Sequence, residues 1–74
     1  MPKTATATLE YAGKQYTVSE TFQYGDDDDI EFMWYEGNWS CDCNRSNLIR
    51  LQVDPDFPDM RCGDTIKLVN LSIS

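Results

Sequence analysis

Asp26, Asp27, Asp28 and Asp29 are four consecutive carboxylates. They lie in a stretch from Gln15 to Asn44 that contains no Lys or Arg and that also carries Glu20, Glu31, Glu36 and Asp42. Eight negative charges without a cation among them repel one another and cost stability, which is more than solubility requires. Two readings of this run stand side by side. It is either a solvated segment that keeps a small protein soluble, or a surface shaped to meet a basic groove. B-DNA carries about one charge per 1.7 Å of helix axis, and a compact protein reaches that density only by clustering carboxylates. A specific calcium loop is a poor fit. Such a loop needs oxygens at alternate positions, a Gly at the sixth and a Glu at the twelfth. Here the aspartates are contiguous and Gly25 precedes them, while Asp54, Asp56 and Asp59 are also wrongly spaced.

Cys41 and Cys43 form a C-x-C pair with Asp42 between them, and Cys62 is the third cysteine. A structural zinc site wants four ligands, usually from C-x₂₋₄-C pairs and histidines. Three thiols and no histidine leave it one short, so the expectation is buried free thiols and no bound metal or cofactor. The absence of histidine also removes the usual general base at neutral pH. A Ser-His-Asp or Cys-His nucleophile cannot be assembled, and the chain reads as a binding protein rather than an enzyme.

The aromatic set is Tyr11, Tyr16, Phe22, Tyr24, Phe32, Trp34, Tyr35, Trp39 and Phe57. Most of it must form the core. If Ile30, Phe32 and Trp34 point inward, Met33 and Tyr35 point outward, and Tyr35 lies with Trp39 beside the acidic run. Aromatic anchors ringed by charge are typical of binding surfaces. The candidate partner-binding set is therefore Glu20, Asp26, Asp27, Asp28, Asp29, Glu31, Tyr35 and Glu36. The plainer alternative has Trp39 simply covering the end of a sheet.

The elements that must position these groups are mostly strands. Thr4 to Tyr11 alternates, with Ala5, Ala7, Leu9 and Tyr11 on one face and Thr4, Thr6, Thr8 and Glu10 on the other. Ala12-Gly13-Lys14 is a turn signal. From 15 to 24, Tyr16, Val18, Phe22 and Tyr24 share a face that Glu20 interrupts, which suggests a bulge there or a position beyond the core edge. This predicts an N-terminal hairpin. Over 30–36 the aromatic content favours a strand. A helix there would place the aspartates at its positive N-terminus, with Asp28 and Glu31 in capping-box spacing. Over 48–53, Ile49, Leu51 and Val53 alternate as a strand would. A helix opened by Asn44 or Ser46, with Leu48 meeting Leu51, fits almost as well. Pro55 and Pro58 interrupt any regular element between 54 and 59. Thr65 to Ser74 reads as a final strand. The fold class is α+β and β-rich: one small antiparallel sheet of three to five strands with an N-terminal hairpin and at most one or two short helices. A ubiquitin-like order of hairpin, helix and further strands is one way to wire it.

Composition bounds the function. The chain has 74 residues, enough for a single small domain. A chain of this size buries only about 60% of its unfolded surface. Thirteen acidic residues against six basic ones give a net charge of −7. Direct binding to nucleic acid or to an anionic membrane is disfavoured, because phosphate binders are basic. No apolar stretch approaches the roughly 20 residues of a membrane span. Met1-Pro2-Lys3-Thr4 opens no signal peptide, so the expected location is a cytoplasm.

The segment Trp34-Tyr35-Glu36-Gly37-Asn38-Trp39-Ser40-Cys41-Asp42-Cys43-Asn44-Arg45-Ser46 resembles a W-x-E-G-N-x-x-C-D-C-N-R-S motif of small phage and prophage proteins. It covers about a sixth of the chain and reads as a structural knot. Gly37 allows a tight turn, Asn38 and Asn44 bond local backbone, and Arg45 pairs with Glu36 or Asp42. The whole package of short, acidic, β-rich and histidine-free chain is also similar in type to anti-CRISPR proteins that mimic DNA. That resemblance implies a basic nucleic-acid-binding partner in the bacterial host cytoplasm, a CRISPR effector complex. The carboxylates of Glu20, Asp26 to Asp29, Glu31 and Glu36 would then fill a Lys/Arg channel and exclude target DNA. The alternative is a phage structural or accessory protein whose acidity serves only solubility.

Overall fold

A computed structural model describes residues 2–36, 43–58 and 65–74, the side chains of Glu36 and Cys43 excepted. The chain runs β1 (Lys3–Tyr11), β2 (Lys14–Phe22), α1 (Asp27–Glu36), α2 (Cys43–Gln52) and β3 (Lys67–Ile73). The three strands form an antiparallel sheet in the order β2-β1-β3. The α+β, β-rich class and the N-terminal hairpin are as the alternation predicts. The chain order is hairpin, two helices and one further strand.

β1 and β2 pair without interruption from Lys3 opposite Phe22 to Tyr11 opposite Lys14. Only Ala12 and Gly13 connect them, with φ of 52° and 80°. Positive φ at both central residues matches the right-handed twist of the strands it joins. Ala5, Ala7 and Leu9 are fully buried, as is Val18 on β2. The threonine face of β1 is left to solvent or only half covered.

Of the two readings offered for Glu20, a bulge at that residue is absent, because Glu20 pairs in register with Ala5 and is half-buried there. The bulge falls on β3. Thr8 pairs with Asn70 and Leu9 with Leu68, so Val69 is the extra residue. This insertion keeps Leu68 opposite Leu9 and Leu71 opposite Ala7, both on the core face.

Two strand readings are corrected. Residues 30–36 belong to α1 and residues 48–52 to α2. In α1 the spacing of four between Ile30 and Trp34 stacks both on one face, and both are buried. Alternation would have buried Phe32 with them, but on the helix Phe32 points outward and is 58% exposed. The capping pair also lies two residues earlier than Asp28 and Glu31. The Asp29 N–H donates to Asp26 Oδ1 at 3.0 Å, and the Asp26 N–H donates to Asp29 Oδ2 at 3.2 Å. Reciprocal carboxylate bonds satisfy donors that every helix start leaves open, and they favour helix over strand.

In α2, Arg45, Ser46 and Ile49 face inward, while Leu51 is 83% exposed and Val53 lies in water beyond the helix end. Ile49, Leu51 and Val53 therefore do not share a face. The Val53 and Asp54 N–H groups both donate to the Ile49 carbonyl, at 2.9 and 2.8 Å, and close the helix. Asp54 Oδ1 accepts from the Asp56 N–H at 3.0 Å. That turn folds the chain back so that Phe57 meets Tyr11 and Tyr16 edge to face, with ring centroids 5.3 and 5.2 Å apart.

Candidate functional site

α1 gathers most of the predicted partner-binding residues. Asp26 caps it, Asp27, Asp28 and Asp29 make its first turn, Glu31 follows, and Tyr35 lies near its end. All six are exposed. Glu36 closes the helix, and its side chain lies outside the described residues, as do Asp42 and Trp39. The three cysteines carry no described side chain either. Among the described residues no group of acidic, cysteine or histidine side chains is arranged to hold a metal ion, and no cavity forms. No helix among them is long and apolar enough to cross a membrane.

The aspartates are not equivalent. Asp26 and Asp29 are tied to each other's backbone. The bond from the Asp29 N–H, together with those within the turn, holds the Asp26 carboxyl below the usual carboxylate range. Asp27 Oδ1 accepts from Lys3 Nζ at 2.7 Å, which links the first residue of β1 to the first of α1. That hydrogen bond and the carboxylate charge raise the Lys3 ammonium above its ordinary value. Asp28 and Glu31 project into solvent.

Glu20 stands apart from this group. It lies on β2 two residues from Val18, on the face the helices cover, and is half-buried. Burial pushes its carboxyl above the ordinary glutamate value. It is not part of the outward surface of α1.

The helix adds Phe32, which strand reasoning assigned to the interior. Asp28, Glu31, Phe32 and Tyr35 fall at i, i+3, i+4 and i+7, a single stripe opposite Ile30 and Trp34. Phe32 and Tyr35 are 58% and 59% exposed, and Tyr24, just before the helix, is 91% exposed. The signal was present in the sequence as helical spacing and was masked by the aromatic content of the segment.

Behind this stripe the helix is fixed by Arg45. Its guanidinium donates to the carbonyl of Trp34 and, at 3.1 Å, to that of Ile66. Arg45 was expected to pair with Glu36 or Asp42, both of which fall outside the described side chains. The two carbonyl bonds place a buried cation at the negative end of α1.

No family model, curated protein or solved structure is significantly similar to this chain. The functional reading therefore rests on the site itself.

Proposed function

We propose that this protein is a non-enzymatic, acidic anti-CRISPR inhibitor. In this reading it occupies a basic groove on a CRISPR effector complex in the bacterial host cytoplasm and blocks target-DNA binding. The observation that carries the reading is the charge density of α1. Asp27, Asp28, Asp29 and Glu31 are exposed within five residues of helix, roughly 6 Å of axis from first to last, or about one charge per 2 Å. That spacing is close to the roughly 1.7 Å per charge of a DNA duplex. A groove lined by Lys and Arg for phosphates would accept it, and steering by the net charge of −7 would speed encounter.

A second reading has its own observation. The Asp26–Asp29 cap and the Lys3–Asp27 pair give three of the four aspartates local structural work. A phage structural or accessory protein could use them for that and for solubility alone.

The two readings separate in a pull-down. Tagged protein is incubated with lysate of a CRISPR-bearing bacterium at low salt and eluted with a salt gradient. The comparison is a variant carrying Asp27→Asn, Asp28→Asn and Glu31→Gln, which leaves the Asp26–Asp29 cap in place. The inhibitor reading expects a CRISPR effector in the wild-type eluate, released over a narrow salt range, and its loss from the variant. Equal recovery by both proteins, or no effector from either, returns the aspartates to the structural reading.

A further inference from the structure

The outward stripe of α1 holds two similar pairs. Asp28 lies one turn before Phe32, and Glu31 lies one turn before Tyr35. Residues four apart on a helix have Cβ atoms roughly 5–6 Å apart, and each side chain leans toward the helix N-terminus. Each ring therefore leans over the turn that carries its carboxylate. Both rings are more than half exposed, whereas the rings that build the core are not: Trp34 is fully buried and Phe57 nearly so. Two large aromatic faces left in water beside two carboxylates, in a stretch devoid of cations, form a surface with unused affinity for positive charge.

We infer that this stripe recognises arginine side chains on the partner, in preference to lysine. A guanidinium is flat. It stacks on an aromatic face and at the same time offers its fork of N–H donors to a carboxylate one turn away. An ammonium is compact and strongly hydrated, and it cannot do both in one plane. The stripe offers two such seats about one turn apart, so it fits a basic surface with arginines at neighbouring positions. The capped first turn supplies general attraction, and the aromatic stripe supplies the choice of cation. This rests on reading α1 as the docking element and names the side chains it meets.

The test titrates isotopically labelled full-length protein with nona-arginine and, separately, nona-lysine at low salt, followed by NMR chemical shifts. Shift changes are expected to concentrate at Asp28, Glu31, Phe32 and Tyr35, with nona-arginine bound more tightly by roughly threefold or more per ring engaged. Phe32→Leu and Tyr35→Leu keep an apolar side chain and remove the π face. Both positions are exposed, so the fold is retained, and the arginine preference should fall toward unity in the double variant. Equal affinity for the two peptides, a preference that survives both substitutions, or no binding of either overturns the inference. The outcome is independent of any effector complex. An inhibitor that shows no arginine preference removes this inference alone, and a clear preference without effector binding removes only the anti-CRISPR reading.

Discussion

The guanidinium of Arg45 lies over the indole of Trp34, 5.6 Å from the ring centroid, and donates a hydrogen bond to the carbonyl of that same residue. One side chain thus holds both the ring and the backbone of the residue that anchors α1 in the core. Its second bond, to the Ile66 carbonyl, ties the helix to the entry of β3. Arg45 is itself buried on the first turn of α2, so three elements meet at one cation.

Truncating it should be severe. Arg45→Ala leaves two carbonyls without these donors and removes the charge at the helix end, a loss of about 2–5 kcal/mol. For a domain of this size that approaches the whole stability. Chemical denaturation should show a midpoint shifted far toward zero denaturant. Arg45→Lys should recover little, because an ammonium cannot span both carbonyls and stack on the ring. A midpoint unchanged in Arg45→Ala would mean that the cluster contributes nothing net.

Glu20 makes stability fall with rising pH. Its folded-state pKa lies above the ordinary 4.5 because of burial. The folded state therefore favours the protonated acid, and this contribution is fully present below pH 4.5 and lost as pH rises through the folded value. Glu20→Gln, which cannot ionise, should melt above wild type at neutral pH, and the gap should close in acid. Identical melting temperatures at both pH values would contradict the assignment.

Gln52 covers an edge. Its Oε1 accepts from the Ser19 N–H at 2.9 Å and its Nε2 donates to the Ser19 carbonyl at 2.7 Å, as a neighbouring strand would. β2 is an outer strand, and open edges invite pairing with other chains. Gln52→Ala should cost about 1 kcal/mol and raise concentration-dependent association in light scattering. A variant as monodisperse as wild type at high concentration would show that the edge needs no such cover.

The hairpin was legible because its alternation is regular and its turn is short. The register of β3 was legible in principle. Its core-side apolar residues are Leu68, Leu71 and Ile73, with Ile66 just before the strand, and the step of three between Leu68 and Leu71 is the trace of the bulge at the exposed Val69. The two helices were harder to read. Over 30–36 the rings of Phe32, Trp34 and Tyr35 imitate a strand, and the deciding facts are the reciprocal Asp26–Asp29 cap and the burial of Ile30 with Trp34, of which only the cap is local. That error also hid the outward Phe32. The acidic residues of the candidate surface were visible as composition, but their unequal roles required the distances.

Ala12 carries avoidable strain. Its φ of 52° lies in the left-handed region, which asparagine tolerates and alanine resists. Ala12→Asn creates an Asn-Gly turn with Gly13 and should stabilise by about 0.5–1 kcal/mol. Denaturation with an unchanged or lower midpoint would contradict the turn geometry.

The inhibitor reading faces its most direct test in competition. Fluorescently labelled target DNA is bound to a purified CRISPR effector complex, and the protein is titrated in while anisotropy is followed at several salt concentrations. DNA is expected to be displaced, raising the DNA concentration should reverse the effect, and the inhibition should weaken steeply as salt rises. DNA that remains fully bound at every protein concentration and at low salt would contradict that reading.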